Sequence, residues 1–352
     1  MRAARFHAKE DVRIEEVEEP SPGPGQVKLR NAFAGICGSD LHVYYAPEAS
    51  GLDLTKPHPV TGAMPPQILG HEFSGTVVEV GEGVDRVAVG DDVAVWPVYG
   101  CGTCAACRRG MFNACRTIAF HGLNAHGGGM AEYTTVDAAK LHKLPEGVDL
   151  RLGALVEPMS VAWHAVAHAN VQAGGSALVA GAGPIGIGVW FALRAQGVER
   201  VLVSEPSADR RAIIEALGAT TVDPVNDDLA SAVADLTDGD GVDAAFDAAG
   251  VGPSITSGLA NLTPGGRLVV VALHERTMDF LPTQLVMSET EIVGVLGYTQ
   301  DDFDAVIQAM SEGRYDTTGW VQEVDLDDVV DAIRSLRGGN GAKVLVRSGA
   351  AA

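Results

Sequence analysis

Residues 177–186 read ALVAGAGPIG, a short apolar run that breaks into glycines and then into helix-forming sequence. Gly181, Gly183 and Gly186 stand in G-x-G-x-x-G spacing directly after a strand candidate, and a helix is expected from Ile187 toward Gln196. The spacing alone is weak, because glycine-rich turns are common, but strand, glycine turn and helix in that order are what a dinucleotide site requires. The first glycine permits the tight turn, the second lets the backbone approach a pyrophosphate, and the third brings helix and strand together. Pro184 and Ile185 complete the turn, and the helix N-terminus attracts the phosphates.

Working outward, short apolar runs alternate with helical stretches. The strand candidates are 177–181, 200–205, 220–224, 242–247, 267–272 and 291–297. Such alternation describes a doubly wound parallel sheet. Glu205 closes the second of these runs, at the place of an acid that binds the adenosine ribose hydroxyls. A carboxylate there repels a 2′-phosphate and favours NAD over NADP, although Arg210 and Arg211 follow closely and one of them could pack against adenine.

Before residue 156 the chain has another character. QVKLRNAFAG (26–35), GTVVEVG (75–81), DDVAVWPV (91–98) and AEYTTV (131–136) are short runs broken by glycine and proline, the pattern of an irregular antiparallel β domain. After residue 300 come two amphipathic helices, 301–313 and 326–339, and a last strand, AKVLVR (342–347). This tail is too short to fold alone and is expected to complete the first domain.

A chain of 352 residues with 46% apolar and 20% charged residues can bury two cores. Its net charge of −21 is spread along the sequence, which speaks against a nucleic-acid partner. The opening MRAARFHAKEDVRIEEVEE lacks an apolar signal core, and no apolar stretch is long enough to span a membrane, so a cytoplasmic protein is expected.

Four of the five cysteines fall between residues 101 and 115. Cys101, Cys104, Cys107 and Cys115, spaced C-x-x-C-x-x-C-x₇-C, can close a tetrahedral zinc shell that leaves no place for substrate, hence a structural site. A second set is dispersed: Cys37 in AGICGSDLH (34–42), His71 and Glu72 in GHEFSGTVVEVG (70–81), and Glu157 in LVEPMSVAWHA (155–165). Singly each is ordinary, a core cysteine or a helix-capping glutamate. Together they offer one sulfur, one nitrogen and up to two oxygens, which suits a catalytic zinc with an exchangeable position.

GHEFSGTVVEVGEGV (70–84) matches the signature of zinc-containing alcohol dehydrogenases, and the four-cysteine lobe and GAGPIG follow in that family's order. The chain resembles the medium-chain dehydrogenase/reductase superfamily over nearly its whole length. The resemblance implies a GroES-like β-rich catalytic domain (1–156, completed by 300–352), a Rossmann domain (157–299) and an active site in the cleft between them. It implies zinc and NAD as cofactors, hydride transfer between a secondary alcohol and the nicotinamide, and Ser39 and His42 as a proton relay. Cys37, His71 and Glu157 form the expected core ligand set, with Glu72 alternating, and Asp40 makes a structural hydrogen bond. The last Rossmann strand commonly pairs across a two-fold axis in this family, so a homodimer or homotetramer is expected.

Two longer segments, KPHPVTGAMPPQILGHEFSG (56–75) and PTQLVMSETEIVGVLGYTQDDF (282–303), are similar to those of bacterial and fungal 2,3-butanediol dehydrogenases. They imply oxidation of 2,3-butanediol to acetoin, with a sorbitol-, xylitol- or threonine-type enzyme as the alternative. A non-catalytic relative would have lost metal ligands, and here each position is filled. His121, His126, His164 and His168 are expected to be packing or surface residues, with His121 and Asn124 near enough to the lobe to approach the cleft. Trp96, Trp163 and Trp190 are expected in cores.

Overall fold

In the computed structural model, which describes residues 1–49, 55–338 and 341–349, the run that opens the dinucleotide motif becomes the fully buried strand Ser176–Ala180. It lies at the middle of a six-stranded parallel sheet ordered Thr220–Val222, Arg200–Ser204, Ser176–Ala180, Val242–Asp247, Leu262–Val270, Glu291–Gly294. Sequential strands run outward from the first to one side, then the chain returns and fills the other side. That reversal is the switch point at which doubly wound sheets bind ligands. Leu178, Leu202, Val233, Ala245 and Leu268 are buried between sheet and helices. Burial on both faces explains why these strands read as continuous apolar runs rather than alternating ones.

The first β-rich region builds a mixed sheet around the strand Gln26–Gly35, which pairs antiparallel with Glu72–Val80, Tyr133–Asp137 and Lys343–Arg347. The last of these pairs in parallel with Val321–Asp325, a strand that the sequence reading did not anticipate. Ile333, Val344 and Val346 are buried in one core with Leu29, Phe73 and Val95, so the C-terminal segment packs into the N-terminal core.

Contacts divide the chain into one unit of Met1–Glu157, Thr299–Glu312 and Val321–Ala352, and a second of Pro158–Tyr298 and Gly313–Trp320. Residues 313–320 thus leave the tail and join the second unit, where Trp320 and Tyr315 are buried and lie against Phe191. Trp96 and Trp190 are buried, while Trp163 is half-buried. No helix among the described residues is long and apolar enough to cross a membrane.

Candidate active site and metal centres

Gly181 ends its strand at φ +104°, a left-handed conformation that favours glycine. A Cβ on Gly186 would stand 1.9 Å from the Gly181 carbonyl oxygen, so helix and turn touch only because residue 186 is glycine. Pro184 occupies the first turn of the helix Pro184–Ala195, where its missing N–H costs nothing. Glu205 is buried, its two carboxylate oxygens accepting from the Ala182 N–H at 2.8 Å and the Ser207 N–H at 2.9 Å. The acid is therefore fastened to the glycine turn. Arg211 donates to the Glu205 carbonyl at 2.7 Å and pairs with Asp223 at 3.1 Å. The guanidinium of Arg210 makes no ion pair among the described residues.

The four-cysteine lobe is assembled. One ligand atom each from Cys101, Cys104, Cys107 and Cys115 lies within 4.8 Å of every other. Backbone amides point at the sulfurs: Cys101 N to Cys115 Sγ at 3.3 Å, Cys104 N to Cys101 Sγ at 3.3 Å, and Cys107 N to Cys104 Sγ at 3.5 Å. Donation by Thr103 and the backbone pulls the Cys101 thiol down to about 5. Four convergent sulfurs, three of them facing amide donors and two of them, Cys101 and Cys104, with lowered pKa, fit a closed thiolate shell for zinc.

The dispersed set also converges, in the first unit. Cys37 caps the helix Gly38–Tyr45, an element absent from the sequence reading, and His71 and Glu72 enter the strand Glu72–Val80. Ligand atoms of Cys37, His71 and Glu72 lie within 4.8 Å of one another. His71 Nδ1, Glu72 Oε1 and Asp40 Oδ1 are all buried and have no hydrogen-bond partner among the described residues. A buried polar atom left unsatisfied costs about 1–3 kcal/mol. Orphaned donors gathered beside a thiol fit a bound divalent metal of zinc's ligand preferences.

The groups around His71 are anionic, which favours a cation in their midst. Burial alone would lower the His71 pKa, but Asp40, with Cys37 and Glu157, carries it up to about 10. Asp40 is fully buried, which raises its own pKa, and its Oδ2 accepts from the Cys37 N–H at 2.9 Å, the structural hydrogen bond expected of it.

Ser39 Oγ lies 3.2 Å from His71 Nε2, at the set itself. His42 sits one turn further along the same helix, half-buried. Glu157 is buried at the start of the helix Val156–His168 and acts on His71 through its charge, but it stands outside the compact group. The compact group contains Glu72 and not Glu157, and both remain candidate ligands. Glu72 follows His71 directly in the chain and is delivered with it, whereas Glu157 arrives on a separate helix.

Sequence reasoning missed Lys343. It is buried, donating to the Ile36 carbonyl at 3.0 Å and to Glu72 Oε2 in a close ion pair. Desolvation would lower its pKa, yet Glu72, with Cys37 and Glu157, holds it above the ordinary lysine value. The available signal was a charge at the start of an otherwise apolar strand. His121 is buried, bonded to Thr134 Oγ1 at 2.9 Å and stacked on Phe73, while Asn124 Oδ1 accepts from Phe120 N at 2.8 Å. Both read as packing residues. His164 is buried, and His126 and His168 are exposed.

Residues 23–146 match the alcohol dehydrogenase GroES-like domain and residues 184–312 the zinc-binding dehydrogenase family. The chain is 40% identical over 94% of its length, and 94% of the relative's, to (R,R)-butanediol dehydrogenase of Bacillus subtilis. A crystal structure of 2R,3R-butanediol dehydrogenase from that organism superposes with a TM-score of 0.91 at 40% identity, covering 98% of this chain and 99% of that one. A zinc-binding dehydrogenase from Sinorhizobium meliloti bound to NADP has a TM-score of 0.88 at 28% identity, with 98% of each chain covered. An Escherichia coli alcohol dehydrogenase complexed with NADH has 0.86 at 28%, with 99% of each covered. This chain belongs to the zinc-containing alcohol dehydrogenases of the medium-chain dehydrogenase/reductase superfamily, and is an oxidoreductase using zinc and a nicotinamide cofactor on a GroES-like and Rossmann framework.

Proposed function

We propose that the chain oxidises (R,R)-2,3-butanediol to acetoin with NAD and runs the reverse reduction. The observation that carries the reading is the compact Cys37–His71–Glu72 set in a chain 40% identical to a butanediol dehydrogenase over 94% of its length. Cys37, His71 and Glu72 would hold a catalytic zinc, with Glu157 close enough to bear on His71 through its charge, and Cys101, Cys104, Cys107 and Cys115 a structural one. When bound, the catalytic zinc supplies Lewis acidity toward the alcohol oxygen, and the nicotinamide ring supplies the hydride acceptor.

The chain's own residues do the rest. Ser39 Oγ, 3.2 Å from His71 Nε2, accepts the alcohol proton, and His42 on the same helix carries it toward solvent. The Glu157 carboxylate accepts a hydrogen bond from the second hydroxyl of a vicinal diol and thereby selects the carbon to be oxidised. A site with a buried acceptor for that hydroxyl discriminates against an analogue that lacks it. Glu205, fixed to the glycine turn, binds ribose hydroxyls and disfavours a 2′-phosphate, which supports NAD.

A homo-oligomer is part of the reading, because the edge strand Glu291–Gly294 has Ile292 exposed and Leu296 exposed just beyond it. All five cysteines are free of disulfides, which suits a reducing cytoplasm.

The test is a steady-state comparison of the butanediol stereoisomers, 2-butanol, sorbitol and L-threonine by NADH absorbance, with zinc measured on the same sample. The (R,R)-diol should have the highest kcat/KM and 2-butanol a much lower one. Sorbitol or threonine turning over faster than every butanediol isomer would remove the substrate assignment.

A further inference from the structure

The Lys343–Glu72 pair is costly to bury and must be explained by what it does. Two charges lose their hydration in a fully enclosed site, and replacing such a pair with apolar residues is often neutral or stabilising. Here the pair lies inside the donor set. Glu72 Oε2 is bound to the Lys343 ammonium, while Oε1 is buried without a partner. The same ammonium donates to the carbonyl of Ile36, the residue before Cys37, at 3.0 Å. One side chain on the last strand thus holds both the chain entering Cys37 and the carboxylate that follows His71.

The packing around the pair leaves Glu72 little freedom. A Cβ on Gly35 would stand 1.9 Å from Glu72 Oε2 and 3.0 Å from Lys343 Cε, so carboxylate and lysine stem both lie against bare backbone. Register fixes this arrangement, because Gly35 pairs with Glu72 on one side and with Leu345 on the other. A carboxylate free to rotate could offer two oxygens to a cation beside Cys37 and His71. Held as it is, Glu72 has one oxygen uncommitted.

We propose that Lys343 is the positioning residue that keeps Glu72 from closing the Cys37–His71–Glu72 set, withholding one carboxylate oxygen so that a place remains for the substrate oxygen. The proposal rests on the reading of this set as a metal site. Lys343 also places a positive charge beside the set, which weakens its hold on a divalent cation. Removing the lysine therefore frees an anionic oxygen and removes a repulsion, and both changes tighten metal binding.

The experiment uses the full chain, stripped of metal and loaded with Co²⁺, whose visible absorption reports its ligands. Subtracting the spectrum of Cys37→Ser removes the four-cysteine contribution and isolates the open set. Lys343→Met should change the isolated spectrum toward higher coordination and tighten cobalt binding on the order of tenfold in chelator competition, the scale on which residues behind metal ligands act. It should lower kcat far more than it changes KM. A lysine that only braces the fold would weaken cobalt binding and leave the spectrum of the folded protein as it was, which would overturn the proposal.

Lys343→Met leaves a buried carboxylate without its counter-charge, so a second comparison guards against misfolding. Glu72→Gln and Glu72→Gln/Lys343→Met should give the same isolated spectrum, because Lys343 sets the coordination through Glu72, while the affinity of the double variant rises only by the loss of the lysine's charge. A difference between those two spectra would also overturn it. Absence of any Cys37-dependent spectrum in the unmodified protein would sink the metal reading and the proposal together. A Cys37-dependent spectrum unaltered by Lys343→Met would sink the proposal alone.

Discussion

Glu205 shows how much one side chain can be asked to do. Its carboxylate accepts from two backbone amides, Ala182 N at 2.8 Å and Ser207 N at 2.9 Å, and that fixes its place beside the glycine turn. A 2′-phosphate approaching there meets a buried carboxylate. We predict that NAD exceeds NADP in kcat/KM by a wide margin, and that Glu205→Ser narrows the gap by relieving repulsion while loosening the turn. Equal kcat/KM for the two cofactors in the unmodified enzyme would defeat this assignment. At the same scale, the candidate donors were legible in the sequence as residue types. The nearness of Glu72 and Lys343, 271 residues apart in the chain, depends on their strands pairing with a common neighbour.

Among the elements, the four-cysteine loop is the most self-contained. Its ligands lie within fifteen positions, its amides already point at its sulfurs, and Cys107 and Cys115 are buried. A structural zinc contributes folding free energy directly, so losing one ligand should be felt as stability rather than as chemistry. Cys104→Ser is predicted to lower Tm by several degrees and to remove about one zinc per chain, whereas Cys37→Ser should abolish turnover and leave Tm nearly unchanged. Thermal unfolding with zinc analysis of both variants is the check. Full stability in Cys104→Ser with one zinc missing would show that the loop is not a structural site. The helix Gly38–Tyr45 makes the opposite point. GSDLHVYY carries no strong amphipathic pattern, and its formation rests on the cap at Cys37 and Asp40 and on the burial of Val43 and Tyr44. Local sequence did not announce it, yet it carries Ser39 and His42.

At the scale of the whole molecule, the question is what covers the end of the parallel sheet. The strand Glu291–Gly294 pairs with Leu262–Val270 on one side only, and Ile292, Leu296, Val286 and Met287 are exposed in or near it. An apolar edge left open is a template for pairing with another chain, and closed two-fold pairing is the common solution. We predict that the protein sediments as a dimer or tetramer and that Ile292→Lys shifts it toward monomer with little change in the zinc content of either site. Analytical ultracentrifugation of both proteins decides it, and an unchanged mass for Ile292→Lys would exclude this edge from the interface.

The sequence by itself determined the parallel sheet, the glycine turn, the four-cysteine loop and the residue types that converge at Cys37, His71 and Glu72. Each of these is encoded within a short window: apolar runs of strand length, glycines at fixed spacing, sulfurs a few residues apart. Only the tertiary structure decided that Val321–Asp325 is a strand, that residues 313–320 leave the tail for the second unit, and that Lys343 meets Glu72. Those outcomes share one cause. They depend on non-local pairing, in which register between distant strands, and not the character of any single segment, sets which side chains come within a few ångströms of each other.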